Sequence, residues 1–403
     1  MAPTLSLCMI VKNNAEHIGE SLASVADFVN EIIVTDTGST DGTKDVIRRR
    51  FPRARILDFN HETHPAAFTL DSAAVWEPYG IPGPFTNAYQ LTDFAAARQH
   101  GWDQATGDYV MWIDSDDVVT AASKLPAIVA DMIKNNLNTV HLDYHYDHDQ
   151  QGNVTCNLVR ERIVRRCSQI HWSQPVHEIL TGAEKCAVYD DVKIVHHREK
   201  WCPQPMWHHR NLKILSRAWD QIKREIRPEP RTLFYLGGEE RFLFPERSTA
   251  HLREYVVRGE WDEERAIAHL IMGSTAERAG RIQEAFAEYA QSAVEFPWSP
   301  DGLLGLARCA YFRNDWQKCI EFTDRAIVIM EHPQPRMTTL MHNPNGRAVV
   351  PYLFLARSLA EMGNVTKAAE ACRRGLAGNP ADLGVQQAMR LYDEYLSGQI
   401  RRT

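Results

Sequence analysis

The sequence predicts an α/β domain with a Rossmann-like, mostly parallel sheet, followed by an all-α array of helix pairs. Three observations carry that reading. In the first half, short β-branched runs alternate with stretches of helical periodicity. In the second half, small residues return with a period of 34. Over all 403 residues, 44% hydrophobic and 24% charged residues make an ordinary globular composition, long enough for two to three cores. The expected domains are 1–227 and 228–403, with the seam at Pro228-Glu229-Pro230.

The elements follow in order. Residues 5–11 (LSLCMIV) and 31–35 (EIIVT) read as buried strands, and Ile18, Leu22 and Val25 between them recur at helical spacing. The second strand runs into Asp36-Thr37-Gly38-Ser39, a turn signal. A helix over 44–51 leads to a third strand over 54–59. The insertion of about thirty residues at 61–92 carries Pro65, Pro78, Pro82 and Pro84 beside Phe68, Trp76, Tyr79, Phe85 and Tyr89. Loops of that length are uncommon inside a domain, and the aromatics argue against disorder, so it reads as a flap over a binding site or as a structural brace. A helix over 94–105 precedes the strongest strand, 109–113, which ends in Asp114-Ser115-Asp116-Asp117.

Windows opening at 266, 300 and 349 place Met272-Gly273, Leu306-Ala307 and Leu355-Ala356 at one offset. Fifteen positions in, Gly280, Asn314 and Gly363 fall where a helix–helix turn belongs, and Ala285, Cys319 and Ala368 follow at twenty. The third window is displaced by a fifteen-residue insertion containing His332-Pro333-Gln334-Pro335, and a fainter copy begins near 230. An irregular helical bundle is the alternative.

Chemistry collects at strand ends. In an open parallel sheet, ligands bind outside the carboxyl ends of the strands. A carboxylate at Asp36 can accept the imide N–H of a uracil-type base. Carboxylates at Asp114 and Asp116 can hold a divalent cation beside diphosphate oxygens. Alternatively, the Asp-rich turn only caps the next helix.

The segments MIVKNNAEHIGESLASVADFVNEIIVTDTGSTDGT and DFAAARQHGWDQATGDYVMWIDSDD together resemble the nucleotide-sugar half of a family 2 glycosyltransferase of GT-A fold, over roughly residues 5–120. The repeats resemble a tetratricopeptide array. The first resemblance implies that Asp36 recognises the base, with Val11 and Lys12 beside it, and that Asp114-Ser115-Asp116 binds metal and the sugar nucleotide. It places Arg98 near ribose and diphosphate. The stretch Ile170 to Glu178 is similar to the W…VHE segment of glycosyltransferases carrying such repeats. Glu178 is therefore the expected general base, His177 a diphosphate or acceptor contact, and Trp172 a wall of the sugar pocket. In related enzymes a late His completes the metal shell; His196 fits slightly better than His197. Arg160, Arg162, Arg165 and Arg166, with His208-His209-Arg210, read as lining the cleft or, more simply, as a solvated basic face. The sequence departs from the pattern at Asn14, where relatives often have Glu, at Gln99, where they often have Asn, and in the 61–92 insertion.

The resemblance implies an inverting transfer from a UDP-sugar with Mn²⁺ or Mg²⁺ to a hydroxyl or thiol, and the appended repeat array favours a polypeptide acceptor, since solenoids commonly hold extended peptides. A cell-surface glycan, a lipid-linked sugar or a modified DNA base are alternative acceptors. The net charge of −7 counts against a nucleic-acid partner. A non-catalytic scaffold is a rival, as is a sugar nucleotidyltransferase, although Lys12-Asn13-Asn14-Ala15-Glu16 lacks the Gly-rich loop the latter needs. No apolar run approaches the ~20 residues of a membrane span. Eight cysteines without a CxxC pair suggest free thiols and the cytoplasm. The repeats offer a surface for homo-oligomers.

Overall fold

The computed structural model describes residues 3–148, 152, 154–167, 169–197, 205–222, 230–332, 344–380 and 382–398. The chain divides into two compact units, Met1–His148 with Asn157–Pro228, and Asp149–Cys156 with Glu229–Thr403. Pro228, Glu229, Cys202 and Pro333 to Pro335 lie outside the described residues, as does the side chain of His208.

The first unit runs β1 (Leu5–Val11), α1 (Ile18–Ala23), β2 (Glu31–Asp36), α2 (Thr43–Arg50), β3 (Arg55–Asp58), β4 (Phe68–Leu70), α3 (Ala73–Trp76), β5 (Tyr89–Leu91), α4 (Phe94–Asp103) and β6 (Tyr109–Trp112). It continues with β7 (Asp117–Thr120), α5 (Leu125–Lys134), β8 (Thr139–His148), β9 (Val154–Arg165), β10 (His171–Ser173), β11 (Ile179–Thr181), β12 (Cys186–His196) and α6 (Pro205–Ile222). Eight strands form one sheet in the order β3-β2-β1-β6-β9-β8-β12-β7. The block β3-β2-β1-β6 is parallel, as expected. Beyond it the sheet is mixed: β9 runs antiparallel to β6, β12 parallel to β8, and β7 antiparallel to β12.

The continuous apolar runs of β1 and β6 arise because both faces are covered. Leu7, Met9, Tyr109 and Met111 pack into one cluster with Ile18 and Leu22 of α1. Their neighbours Cys8, Val110 and Trp112 pack on the opposite face with Ala95 and Trp102 of α4. The 61–92 insertion folds as a β4/β5 hairpin with α3, seated on Phe59 and Ala97. It is braced to α6: the Lys213 ammonium donates to Asp71 at 2.6 Å, both groups being buried, and Arg217 donates to Thr69.

The second unit is a succession of helices: α7 (Arg231–Glu240), α8 (Pro245–Arg258), α9 (Asp262–Arg278), α10 (Ile282–Glu295), α11 (Asp301–Phe312), α12 (Trp316–Glu331), α13 (Pro344–Glu361), α14 (Val365–Gly378) and α15 (Leu383–Leu396). The three windows correspond to α9/α10, α11/α12 and α13/α14, and the fainter copy to α7/α8. Gly280, Asn314 and Gly363 each adopt the left-handed conformation that ends a helix, with φ of +74°, +56° and +85°. Ala285, Cys319 and Ala368 are fully buried, because any larger side chain there would hold the paired helices apart. The described cysteines are all free. Among the described residues, no helix is long and apolar enough to cross a membrane.

Candidate active site at the acidic turn

Strands β1, β2 and β6 are parallel, so Val11, Asp36 and Asp114 come out at the same edge of the sheet. Val11 lies beside Asp36 in register, and its carbonyl accepts hydrogen bonds from the amide and hydroxyl of Thr37. The Asp36 carboxylate is 1% exposed. Its Oδ1 accepts from the amides of Gly38 at 3.1 Å and Ser39 at 2.9 Å, and Lys44 Nζ lies at 3.3 Å. Its Oδ2 is buried without a hydrogen-bond partner, an acceptor that a native fold rarely leaves unused. Lys12 follows, exposed, at the end of β1.

Asn14 ties this loop to the acidic turn. Its amide donates to Thr43 Oγ1, and its side chain donates to the Ser115 carbonyl at 2.8 Å and to Ser115 Oγ at 3.0 Å. The departure from Glu at this position thus provides a neutral donor that the turn uses.

Asp114 and Glu178 are bridged by Arg98 of α4. Arg98 Nη2 donates to Asp114 Oδ1 at 2.6 Å, and Nε to Glu178 Oε1 at 3.4 Å. The guanidinium sits over the rings of Trp112, at 4.7 Å, and Trp172, at 5.1 Å. Burial alone would raise the Asp114 carboxyl, but Arg98 and then Arg162 outweigh it and hold it well below the usual range. Trp172 is buried edge-on against Trp112, and its amide donates to Gln99 Oε1, so the second departure also has a structural use. The turn before Glu178 is sharp: Gln174 and half-buried His177 take φ of +72° and +57°. It is fastened by Phe94 N–H to the Pro175 carbonyl, and Arg160 Nη2 donates to the Glu178 carbonyl at 3.0 Å.

On the other side of the turn, antiparallel pairing puts His196 of β12 opposite Asp117 of β7. His196 Nδ1 is 3.0 Å from Asp117 Oδ1 and 3.6 Å from Asp116 Oδ1. Burial opposes charge on the ring, yet the bond to Asp117 and its neighbouring acids raise His196 to about 9. Asp116, chiefly through burial, is pushed up to about 6. One ligand atom each from Asp116, Asp117 and His196 lie within 4.8 Å of one another. The Asp116 carboxylate and the His196 imidazole are donors of the kind that fit Mn²⁺, with the Asp117 carboxylate engaged against His196 Nδ1.

The structure therefore brings Asp114, Asp116, Arg98, Trp172, Glu178 and His196 into one network, with Asp36 and Val11 on the same sheet edge. It groups Asp117, instead of Asp114, with Asp116 and His196. His197 contributes its backbone amide, which donates to the Asp116 carbonyl. Sequence reasoning gave no site role to Asp117 or to Tyr144, whose hydroxyl donates to Asp117 Oδ1 at 3.1 Å, and left Arg162 between a cleft lining and a solvated face. The solvated-face reading suits Arg165 and Arg166, which are exposed, but fails for Arg162, which is fully buried. The reason is that Arg162 lies within β9, with its guanidinium against the Trp112 ring of the neighbouring β6, whereas Arg165 ends the strand.

Residues 6–69 and 85–201 match glycosyl transferase family 2. The N-terminal unit is a family 2 glycosyltransferase domain. The stretch left out of the match lies inside the 61–92 insertion. The glycosyltransferase SunS from the SPβ prophage of Bacillus subtilis is 30% identical over 122 residues, covering 30% of this chain and 22% of that protein. A TPR repeat-containing protein of Synechococcus elongatus is 28% identical over 178 residues, covering 44% of this chain and 35% of that one. The chain thus spans about a third or less of these curated relatives. Among solved structures, glucosyl-3-phosphoglycerate synthase from Mycobacterium tuberculosis with Mn²⁺, UDP and glucosyl-3-phosphoglycerate is 22% identical, with a TM-score of 0.25, covering 35% of this chain and 44% of that one.

Proposed function

We propose that the chain is an inverting, metal-dependent glycosyltransferase that moves a sugar from a UDP-sugar to a hydroxyl or thiol of a polypeptide. The observation that carries this is the Arg98 bridge, which holds the Glu178 carboxylate and the Asp114 turn together beside the Asp116–His196 pair. Buried Asp36 Oδ2 suits the imide N–H of uracil, with Val11 and Lys12 flanking the base and Ser115 within the diphosphate loop. Mn²⁺ or Mg²⁺ held by Asp116 and His196, with Asp114 adjacent, would supply Lewis-acid neutralisation of charge on the diphosphate. Glu178 takes the proton from the acceptor as its oxygen or sulfur bonds to the anomeric carbon. The bond from that carbon to the diphosphate oxygen breaks, and UDP leaves with the electron pair. Arg98 adds a fixed positive charge where that oxygen departs. Trp172 and His177 flank the sugar and acceptor.

Residues 1–227 form the catalytic domain in this reading, and 228–403 a repeat domain for acceptor recognition, since such arrays present extended binding surfaces. The reaction belongs to the cytoplasm, where nucleotide-sugars and free thiols coexist. Incubation with common UDP-sugars, Mn²⁺ and candidate acceptor peptides, followed by UDP release, tests the proposal. UDP release dependent on donor, metal and peptide is expected. No release with any donor, together with no metal-dependent nucleotide binding, would leave the scaffold reading.

A further inference from the structure

A second arginine lies beneath the acidic turn, and no step above uses it. Arg162 of β9 is 0% exposed, and its guanidinium is sandwiched between the rings of Trp112, at 3.9 Å, and Tyr144, at 4.2 Å. Nη1 lies 3.3 Å from Asp117 Oδ2 and 3.4 Å from the Trp112 carbonyl. Nε and Nη2 are buried without a hydrogen-bond partner. Removing a guanidinium from water is costly, and one carboxylate, one carbonyl and two ring faces repay it only in part when two donors stay unused. Pairing within the fold therefore does not fully account for the residue.

What Asp117 touches does. Oδ2 accepts the Asp114 amide at 3.0 Å, and Oδ1 faces His196 Nδ1 at 3.0 Å. Asp117 is itself 0% exposed, so its carboxylate is turned inward and fully engaged. A histidine that binds a cation commonly donates its other ring N–H to such a carboxylate, which fixes the tautomer and aims the free nitrogen.

We propose that Arg162 is a positioning residue for the cation site. It holds Asp117 as the orienting carboxylate behind His196 and behind the Asp114 amide, and Asp117 is a support rather than a ligand. The inference rests on the cation site of the proposed glycosyl transfer and deepens it. Through Nη1 on Asp117 Oδ2, Arg162 keeps that carboxylate aimed at His196 and at the Asp114 amide.

The test is Mn²⁺ affinity, read from the free-Mn²⁺ electron paramagnetic resonance signal, alongside thermal unfolding of the full chain. Arg162→Met is expected to weaken Mn²⁺ at least tenfold and to lower the melting temperature, because it strands a buried carboxylate. Arg162→Lys, which keeps the charge without the fork, is expected to recover part of the affinity. The double variant Arg162→Met with Asp117→Asn removes the charge pair together. It is expected to recover melting temperature while Mn²⁺ stays at least tenfold weaker. A double variant binding Mn²⁺ as the wild type does would overturn the inference and leave the cation site standing. Wild-type protein with no Mn²⁺ affinity would overturn the site itself, and this inference with it.

Discussion

Buried charge is handled in two ways in the two units. In the helical unit Glu264 and Glu277 are closed off within seams between neighbouring helices, and buried Glu240, whose Oε1 has no hydrogen-bond partner, is ion-paired with Arg247 at 2.7 Å. Glu264, 1% exposed, accepts from Tyr255 Oη at 2.6 Å and from Arg231 Nε at 2.6 Å. Glu277 is held by Arg308 through both oxygens and by Tyr289 Oη at 2.7 Å. In the glycosyltransferase domain, one buried and two half-buried cations gather around one ring, Trp112, with Arg162, Arg98 and Arg160 all within 5.3 Å of its centroid. There the pairing is incomplete, since Asp36 Oδ2 and two Arg162 nitrogens have no hydrogen-bond partner. Closed pairs distributed along an element stabilise a fold; converging charges with spare valence are arranged for a ligand.

That contrast yields predictions of decreasing size. Glu178→Gln should keep donor binding and lose transfer by roughly 10²–10⁴-fold, measured as UDP release at saturating donor. Full turnover in that variant would place the base elsewhere. Glu264→Ala should cost about 3–5 kcal/mol in the helical unit, because it leaves Arg231 and Tyr255 without their acceptor. Mn²⁺ affinity of the same variant should be unchanged; a parallel loss would erase the distinction between the two kinds of buried charge. Gly302→Ala should cost about 1–3 kcal/mol by denaturant unfolding, since the added Cβ would lie 2.6 Å from the Ala293 backbone nitrogen. Gly280→Ala meets no atom within 4 Å and should cost only about 1 kcal/mol, for its φ of +74°. Gly280→Asn should cost less still, because Asn314 already occupies the equivalent turn.

The features legible in the sequence are those decided by local pattern. Asp36 and Asp114 stand at the ends of apolar runs, and chain direction alone puts them on one edge of a parallel sheet. Gly280, Asn314 and Gly363 were recoverable because every repeat has to turn at the same offset. The hidden features depend on partners distant in sequence. The strand residues Arg160 and Arg162 alternate like solvent-facing cations, and only the pairing of β9 with β6 puts them against Trp112. Which acid of Asp114-Ser115-Asp116-Asp117 faces His196 depends on β7/β12 register, set 79 residues away. The brace on the insertion likewise joins Asp71 to Lys213 across 142 residues.

Calorimetric titration of UDP with and without Mn²⁺, on wild-type protein and on Asp36→Asn and Asp116→Ala, tests most directly whether base and cation ends form a single pocket. The account predicts Mn²⁺-dependent UDP binding in the wild type that either substitution alone removes, with the helical unit melting unchanged. UDP bound equally well by all three proteins, or bound without regard to Mn²⁺, would contradict it.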